Sequence, residues 1–145
     1  MLFRFRLFLF FVLLIISCAE EDTLTPEEKA TILISKTWVT GSVILDTEDI
    51  TDFGYRDFEL TFEPNGQWLA VNGGDVFGNS GTWEFVNKQL TSIRLSDITA
   101  SINLNPQGRT LQLQFLLSGE GPINGRQSST TGEYSLYLLP KYPDE

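Results

Sequence analysis

The chain has 145 residues, 41% of them hydrophobic, which is enough for one domain with a modest core. It contains no histidine, so it lacks the commonest general base and metal ligand, and its single cysteine excludes an internal disulfide and a Cys/His zinc site. A net charge of −9 opposes binding to nucleic-acid phosphates or anionic lipid headgroups through simple electrostatics.

The first 17 residues have the pattern of a signal peptide. Arg4 and Arg6 precede an apolar run from Leu7 to Ile16, which is too short for an ordinary membrane-spanning helix of about 20 residues. We predict that residues 1–17 are removed, with a retained membrane-spanning anchor as the alternative. Their removal takes away two basic residues and no acidic one, so the remaining chain carries a net charge of −11.

The only cysteine follows this apolar run directly. In "IISC", Ile15 stands three positions before Cys18 and Ser17 stands immediately before it. This order resembles a bacterial lipobox, in which the cysteine thiol is joined to a diacylglycerol and becomes the first residue after cleavage. The resemblance implies that Cys18 is lipidated, and acyl chains contribute about 0.8 kcal/mol per buried methylene to membrane binding. An unmodified cysteine at the edge of the signal sequence is the alternative.

Residues 18–24 are predicted to form a short acidic tether. Ala19 after the cysteine resembles the outer-membrane address of Gram-negative lipoproteins, and the triplet Glu20, Glu21 and Asp22 resembles a surface-export signal. The implied location is the outer membrane, with exposure at the cell surface, and an ordinary solvated linker is the alternative for the triplet. Such a tether spans at most about 25 Å, so the domain at 25–145 is held close to the membrane.

One short helix is predicted at the start of this domain, in "TPEEKATILIS". Thr25 fits the N-cap, Pro26 fits the first helical position, and Glu28 stands three residues after the cap and completes a capping box. Ile32 and Leu33 are expected to form the apolar side of this helix.

After the helix, the period of the sequence changes to two. Eight segments alternate apolar residues with Thr, Ser, Gln and Glu: KTWVTGSVILD, RDFELTFEPNGQWLAVNGG (two segments joined by an Asn-Gly turn), SGTWEFVN, TSIRLSD, ITASINLNP, TLQLQFLLS and GEYSLYLLPK. Short connections favour antiparallel pairing of neighbours. Eight strands with one apolar face form either an up-and-down barrel or a sandwich.

The order of these pieces carries a resemblance. A short helix, then "SKTW", "LTFEPNGQW" and "SGTWEF" resemble the lipocalin-like lipoproteins of Gram-negative bacteria, over Lys29 to Lys141. The resemblance implies an all-β fold, an eight-stranded antiparallel up-and-down barrel that is lipocalin-like, with one short N-terminal helix near one end. The biological role of that family is mostly undefined, so the resemblance implies little about function.

The inward-facing positions of the strands are the candidate lining of a ligand site. Large aromatic faces suit a small, flat, hydrophobic ligand, whereas the alternative is that the same side chains simply fill the barrel. Trp38 and Trp83 in particular are expected to be structural plugs, that is, side chains that fill the barrel and bind no ligand. The candidate lining consists of Trp38, Phe58, Leu60, Phe62, Trp68, Trp83, Phe85, Leu113, Phe115, Tyr134 and Leu136.

The acidic connection after the first strand raises the question of a metal. Asp46, Glu48, Asp49 and Asp52 offer the carboxylate oxygens that calcium prefers, but their spacing does not match an EF-hand loop. We expect a solvated loop there and predict neither a metal nor a cofactor for the chain.

Two further connections, 72–81 and 118–132, are rich in glycine. Neither has the strand-to-helix context of a phosphate-binding loop, so both are expected to be hairpin loops. Phe77 is expected to be exposed in the first of them and available to contact a partner.

Catalysis has little support in this sequence, because no Ser-His pair exists and no carboxylate pair can be identified. We therefore predict that the chain is not an enzyme. The leading expectation is a lipid-anchored envelope lipoprotein whose barrel binds a small hydrophobic ligand. The alternative is a non-enzymatic interaction module of an envelope complex, with a filled core and an envelope protein as its partner.

Overall fold

The computed structural model describes residues 24–73, 76–118 and 131–142. The predicted signal peptide, the predicted lipidation site Cys18 and the tether up to residue 23 lie outside these ranges, as does most of the loop 118–132. Within the described ranges, no helix has both the length and the apolar character needed to cross a membrane.

One helix and nine strands make up the regular structure of the described residues. Their bounds are α1 Pro26–Ile34, β1 Thr37–Leu45, β2 Glu48–Asp49, β3 Glu59–Phe62, β4 Gln67–Val71, β5 Ser80–Phe85, β6 Ser92–Leu95, β7 Ile98–Leu104, β8 Leu111–Leu117 and β9 Gly132–Pro140. The acidic segment after β1 is not entirely a loop, because β2 folds back on the end of β1.

The sheet closes on itself. From β3 onwards, each strand pairs in antiparallel fashion with the next along the chain, and β1 pairs with both β3 and β9. The closing pair is long and runs from Trp38 opposite Pro140 to Leu45 opposite Tyr134. A continuous ring of this kind is a barrel and not a sandwich. The predicted eight-stranded antiparallel up-and-down barrel with one short helix is confirmed.

Alternation along the strands fills the inside of the ring. In β8, for example, Leu111, Leu113 and Phe115 are buried, whereas Gln114 between them is exposed. Removing one such leucine or phenylalanine side chain from water contributes about 1.5–3 kcal/mol. The core of the described residues is therefore the barrel interior, and the polar positions cover its outside.

The helix begins as predicted. The Thr25 hydroxyl accepts a hydrogen bond from the Glu28 N–H (3.2 Å), and the Thr25 N–H donates to the Glu28 carboxylate (2.6 Å). This capping box, with Pro26 in the first turn, fixes the start of α1 and contributes about 1 kcal/mol. The hydrogen bond from the Thr25 backbone also lowers the pKa of Glu28.

The predicted apolar side of α1 is wrong. Ile32 is exposed and Leu33 is only partly buried, whereas Ile34 is fully buried. The reason is the way the helix joins the barrel: the Trp38 indole N–H donates to the Ile34 carbonyl (2.9 Å), which turns the last helical residue toward the core.

The helix lies against one end of the barrel, which we call the proximal end. The Lys36 ammonium, just after α1, donates to the carbonyl of Gly108 in the β7–β8 turn (3.3 Å). The proximal end therefore carries the β3–β4, β5–β6 and β7–β8 connections. The opposite, distal end carries the connection after β1, the β4–β5 loop and the β6–β7 turn.

Candidate ligand site inside the barrel

The structure places the predicted lining residues inside the ring, with one exception. Phe85 is only partly buried and lies near α1 at the proximal end. The other ten are buried: Trp38, Phe58, Leu60, Phe62, Trp68, Trp83, Leu113, Phe115, Tyr134 and Leu136. The alternation in the sequence therefore identifies the interior correctly, whether or not a ligand enters it.

Phe77 is a buried member of this interior, and the prediction that it is exposed is wrong. Its exposed fraction is 6%. The ring stacks on Phe58 (centroids 5.2 Å apart, planes at 20°) and meets Trp68 and Phe115 edge to face (6.2 and 5.7 Å). A glycine-rich loop is usually a solvent-exposed turn, and only the path of the backbone reveals that this one delivers a ring to the core.

The contacts of Phe77 reach across the barrel. Trp68 belongs to β4 and Phe115 to β8, and these strands are four places apart in either direction around the eight-stranded ring. A ring that touches both therefore lies in the middle of the interior. Phe115 in turn stacks on Tyr134 of β9 (5.3 Å, planes at 7°), and Tyr55 meets Phe58 edge to face (6.2 Å). We call these six aromatic residues the distal cluster: Tyr55, Phe58, Trp68, Phe77, Phe115 and Tyr134.

A second, smaller set of rings lies nearer α1. Trp83 meets both Phe62 and Phe85 edge to face, with centroids 5.4 and 5.5 Å apart. The Trp83 indole N–H donates to the Glu63 carbonyl (3.0 Å), and Trp38 is tied to α1 as described above. These hydrogen bonds fix both indoles to the backbone, which is the plug-like role that the sequence predicts for them.

Trp68 differs from the other two tryptophans. Its indole N–H is buried, and no hydrogen-bond acceptor reaches it within the described part of the chain. The indole lies over Gly81, where a methyl group would approach its Nε1 to 2.7 Å. Most buried donors in native proteins have a partner, and an unpaired one costs about 1–3 kcal/mol. The distal cluster therefore contains a donor that an added acceptor would satisfy.

The described residues bring no charged side chain into the interior. Among the described residues, no polar or charged side chain belongs to the buried class. A charged group needs a partner or water to be buried without a large penalty. The chemistry of the interior therefore suits a neutral, apolar molecule with at most a hydrogen-bond acceptor.

The acidic residues after β1 do not converge on a common point. The Asp46 carboxylate accepts from the Glu133 N–H (2.9 Å), Asp49 accepts from the hydroxyl of Thr51 (2.6 Å), and Asp52 pairs with Arg56. No group of three or more potential metal ligands occurs in the described ranges. The calcium site weighed for this segment is therefore not assembled there.

Two of the open grooves beside α1 lie between the helix and the turns of the proximal end. One has a volume of about 370 Å³ and lies between Lys29, Leu33 and the β5–β6 connection. The other, of about 330 Å³, lies between Thr31 and the β3–β4 turn at Asn65. Both are open to solvent and separate from the distal cluster.

Comparison with known proteins assigns no relative. No protein-family model, no curated protein and no solved structure matches the chain. Function must therefore be argued from the geometry described above.

Proposed function

We propose that the barrel binds one small, flat, neutral hydrophobic ligand among the aromatic residues of the distal cluster. The observation that carries this proposal is the unpaired, buried N–H of Trp68 within a cluster of aromatic rings. The rings supply large apolar faces for stacking, and the N–H supplies one directional contact. The ligand class that fits is an aromatic or polyene molecule with a carbonyl or ether oxygen.

Native mass spectrometry of the protein purified from its own envelope tests this directly. We expect one additional small molecule per chain. In parallel, titration with neutral flat molecules should change the fluorescence of Trp68, while long-chain carboxylates of similar area should not, because the described residues offer no counter-charge in the interior. Bare protein together with unchanged fluorescence across the panel would contradict the proposal.

We further propose that the barrel works at a membrane, as a lipid-anchored protein of the outer membrane exposed at the cell surface. The support is the sequence alone: the apolar leader, the lipobox-like residues before Cys18 and the acidic triplet after it. Replacing Cys18 by Ala should abolish acyl labelling and release the chain from the membrane fraction or leave it unprocessed. Replacing Glu20, Glu21 and Asp22 together by Ala should preserve labelling but remove protease accessibility on intact cells.

A second function is favoured by the aromatic rings of the distal cluster, which contact one another across the whole barrel interior. A core filled in this way is typical of a rigid module without a ligand. The protein would then act through its surface, as an accessory component of an envelope complex, and the two grooves described beside α1 are concave parts of that surface. Crosslinking from Asn65 or Gln89 in the native envelope, with Gln114 on the opposite part of the barrel wall as the control position, tests this alternative.

A further inference from the structure

We infer that the Phe77 side chain occupies the ligand's ring position in the ligand-free protein, and that a ligand binds by displacing it. This inference rests on the proposed ligand-binding function and adds to it the identity of the competing group. The site would then take a single aromatic ring or a fused pair of rings, neutral in charge.

The first argument is position. Three other rings of the distal cluster, Trp68, Phe115 and Tyr134, belong to strands of the barrel wall, and each of these strands pairs with a neighbour on both sides. Phe77 belongs to no strand and enters the interior from the β4–β5 loop. Its removal therefore costs no strand pairing. Tyr55 and Phe58 also lie outside the strands, but the Phe58 carbonyl accepts from the Thr40 N–H of β1 (3.1 Å).

The second argument is the contacts that Phe77 makes. It lies between Phe58, which stacks on one face, and the edges or faces of Trp68 and Phe115. This is the arrangement with which a protein holds a flat aromatic ligand. The backbone of Phe77 is held weakly. Its N–H donates to the Gly73 carbonyl in the same loop (3.2 Å), and within the described residues its backbone makes no hydrogen bond to a strand.

The third argument is the unpaired donor on the indole that Phe77 contacts. Phe77 meets Trp68 edge to face, yet a phenyl ring has no oxygen or nitrogen acceptor to offer the Trp68 N–H. A ligand that takes the place of this ring and carries an oxygen would bring the missing acceptor into the cluster. Phe77 thus makes the apolar contacts expected of the ligand, but it supplies no oxygen acceptor for the Trp68 N–H.

Displacement lowers the apparent affinity of the wild-type protein by a predictable factor. A ligand must expose the Phe77 side chain before it binds, and the exposure of one phenylalanine reduces affinity roughly 10- to 100-fold. Shortening this side chain should therefore tighten binding by that factor, without changing the stoichiometry of one.

The experiment is a calorimetric titration of 1-indanone, a neutral fused ring pair with one carbonyl oxygen, into the full chain held in detergent micelles, with empty micelles as the blank. We expect Phe77→Ala to bind roughly 10- to 100-fold more tightly than wild type, and Phe77→Leu to show part of that gain. Phe53→Ala, at an exposed phenylalanine also at the distal end, should bind as wild type does. Phe77→Leu keeps most of the core volume, so the comparison survives if the alanine variant fails to fold.

A second readout follows Phe77 itself. In wild type labelled with 4-fluorophenylalanine, saturating 1-indanone, which carries no fluorine, should move the Phe77 fluorine signal, assigned by its loss in Phe77→Leu, to the position of a solvent-exposed ring. Equal affinity of wild type and both variants overturns the inference and leaves ligand binding intact. If only the variants bind and wild type does not, the mutation has merely created a cavity, and the inference is overturned. If none of the proteins binds, the proposed ring-binding site is contradicted as well.

Discussion

Replacing each of the three tryptophans by phenylalanine separates the hydrogen-bonding role of these residues from their packing role. All three are buried, with exposed fractions of 0% for Trp38, 4% for Trp68 and 6% for Trp83. Each substitution therefore removes a similar apolar volume from the same core. What differs is the indole N–H, which has an acceptor at Trp38 and Trp83 and none at Trp68.

The expected difference in the free energy of unfolding follows from these hydrogen bonds. Trp38→Phe loses one hydrogen bond, but the Ile34 carbonyl keeps the Lys36 N–H as a donor (2.8 Å), so the loss is about 1 kcal/mol rather than the larger cost of an orphaned acceptor. Trp68→Phe removes an unpaired buried donor and regains about 1 kcal/mol. Trp38→Phe should therefore lower the free energy of unfolding by about 2 kcal/mol more than Trp68→Phe does.

Urea unfolding of ligand-free protein measures this difference. With a slope of about 2 kcal/mol per molar urea, the midpoints of the two variants should differ by about 1 M. Trp83→Phe is the matched second case and should resemble Trp38→Phe, since the Glu63 carbonyl likewise keeps a backbone donor, the Gly66 N–H. The reasoning is refuted if Trp68→Phe is as destabilising as the other two substitutions at an unchanged slope.

Further predictions concern the turn, the core and the cap. Gly66 has φ +83°, so Gly66→Ala should cost about 1–2 kcal/mol in urea unfolding, and an equally stable variant would contradict the assigned turn. A methyl group at Gly81 would clash with the Ser96 hydroxyl and lie 2.8 Å from the Trp68 ring, so Gly81→Ala should cost about 1–3 kcal/mol and alter Trp fluorescence. Thr25→Ala should cost about 1 kcal/mol by loss of the N-cap, whereas Thr25→Ser should be close to neutral. The pKa of Glu28 is lowered in the folded state, so its contribution to the free energy of unfolding is present above the unfolded pKa of 4.5 and is lost as the pH falls through the folded pKa. Glu28→Gln should therefore make stability less dependent on pH in this range. Urea unfolding measured from pH 3 to 6 would show the difference.

Local pattern was sufficient to predict most of the fold. The strand alternation, the Asn65-Gly66 turn and the capping box at Thr25 all involve residues that are near one another in sequence, and the structure has each of them. The buried faces of the strands follow from the same period-two pattern, which is why ten of the eleven predicted lining residues are buried. Closure of the sheet was not decided by these local patterns, because a sandwich satisfies them equally well.

Errors arose where burial depends on how a segment docks. Ile32 and Ile34 are equally apolar, and the one that faces the core is set by how the last turn of α1 docks on the barrel, where the Ile34 carbonyl accepts from Trp38. Phe77 was misjudged because the composition of its loop suggests solvent, whereas the path of its backbone leads inward. The unpaired N–H of Trp68 could not be predicted at all, since satisfaction of a donor depends on three-dimensional neighbours.

The pairing of β1 with β9 has a consequence for how the chain reaches its folded state. Val43 lies opposite Leu136, so the first strand finds its closing partner only after more than 90 further residues have been made. Contacts of such sequence separation form slowly, and the barrel cannot close before they do. The sheet therefore stays open while the intervening strands form, and the core is completed only when β9 docks against β1.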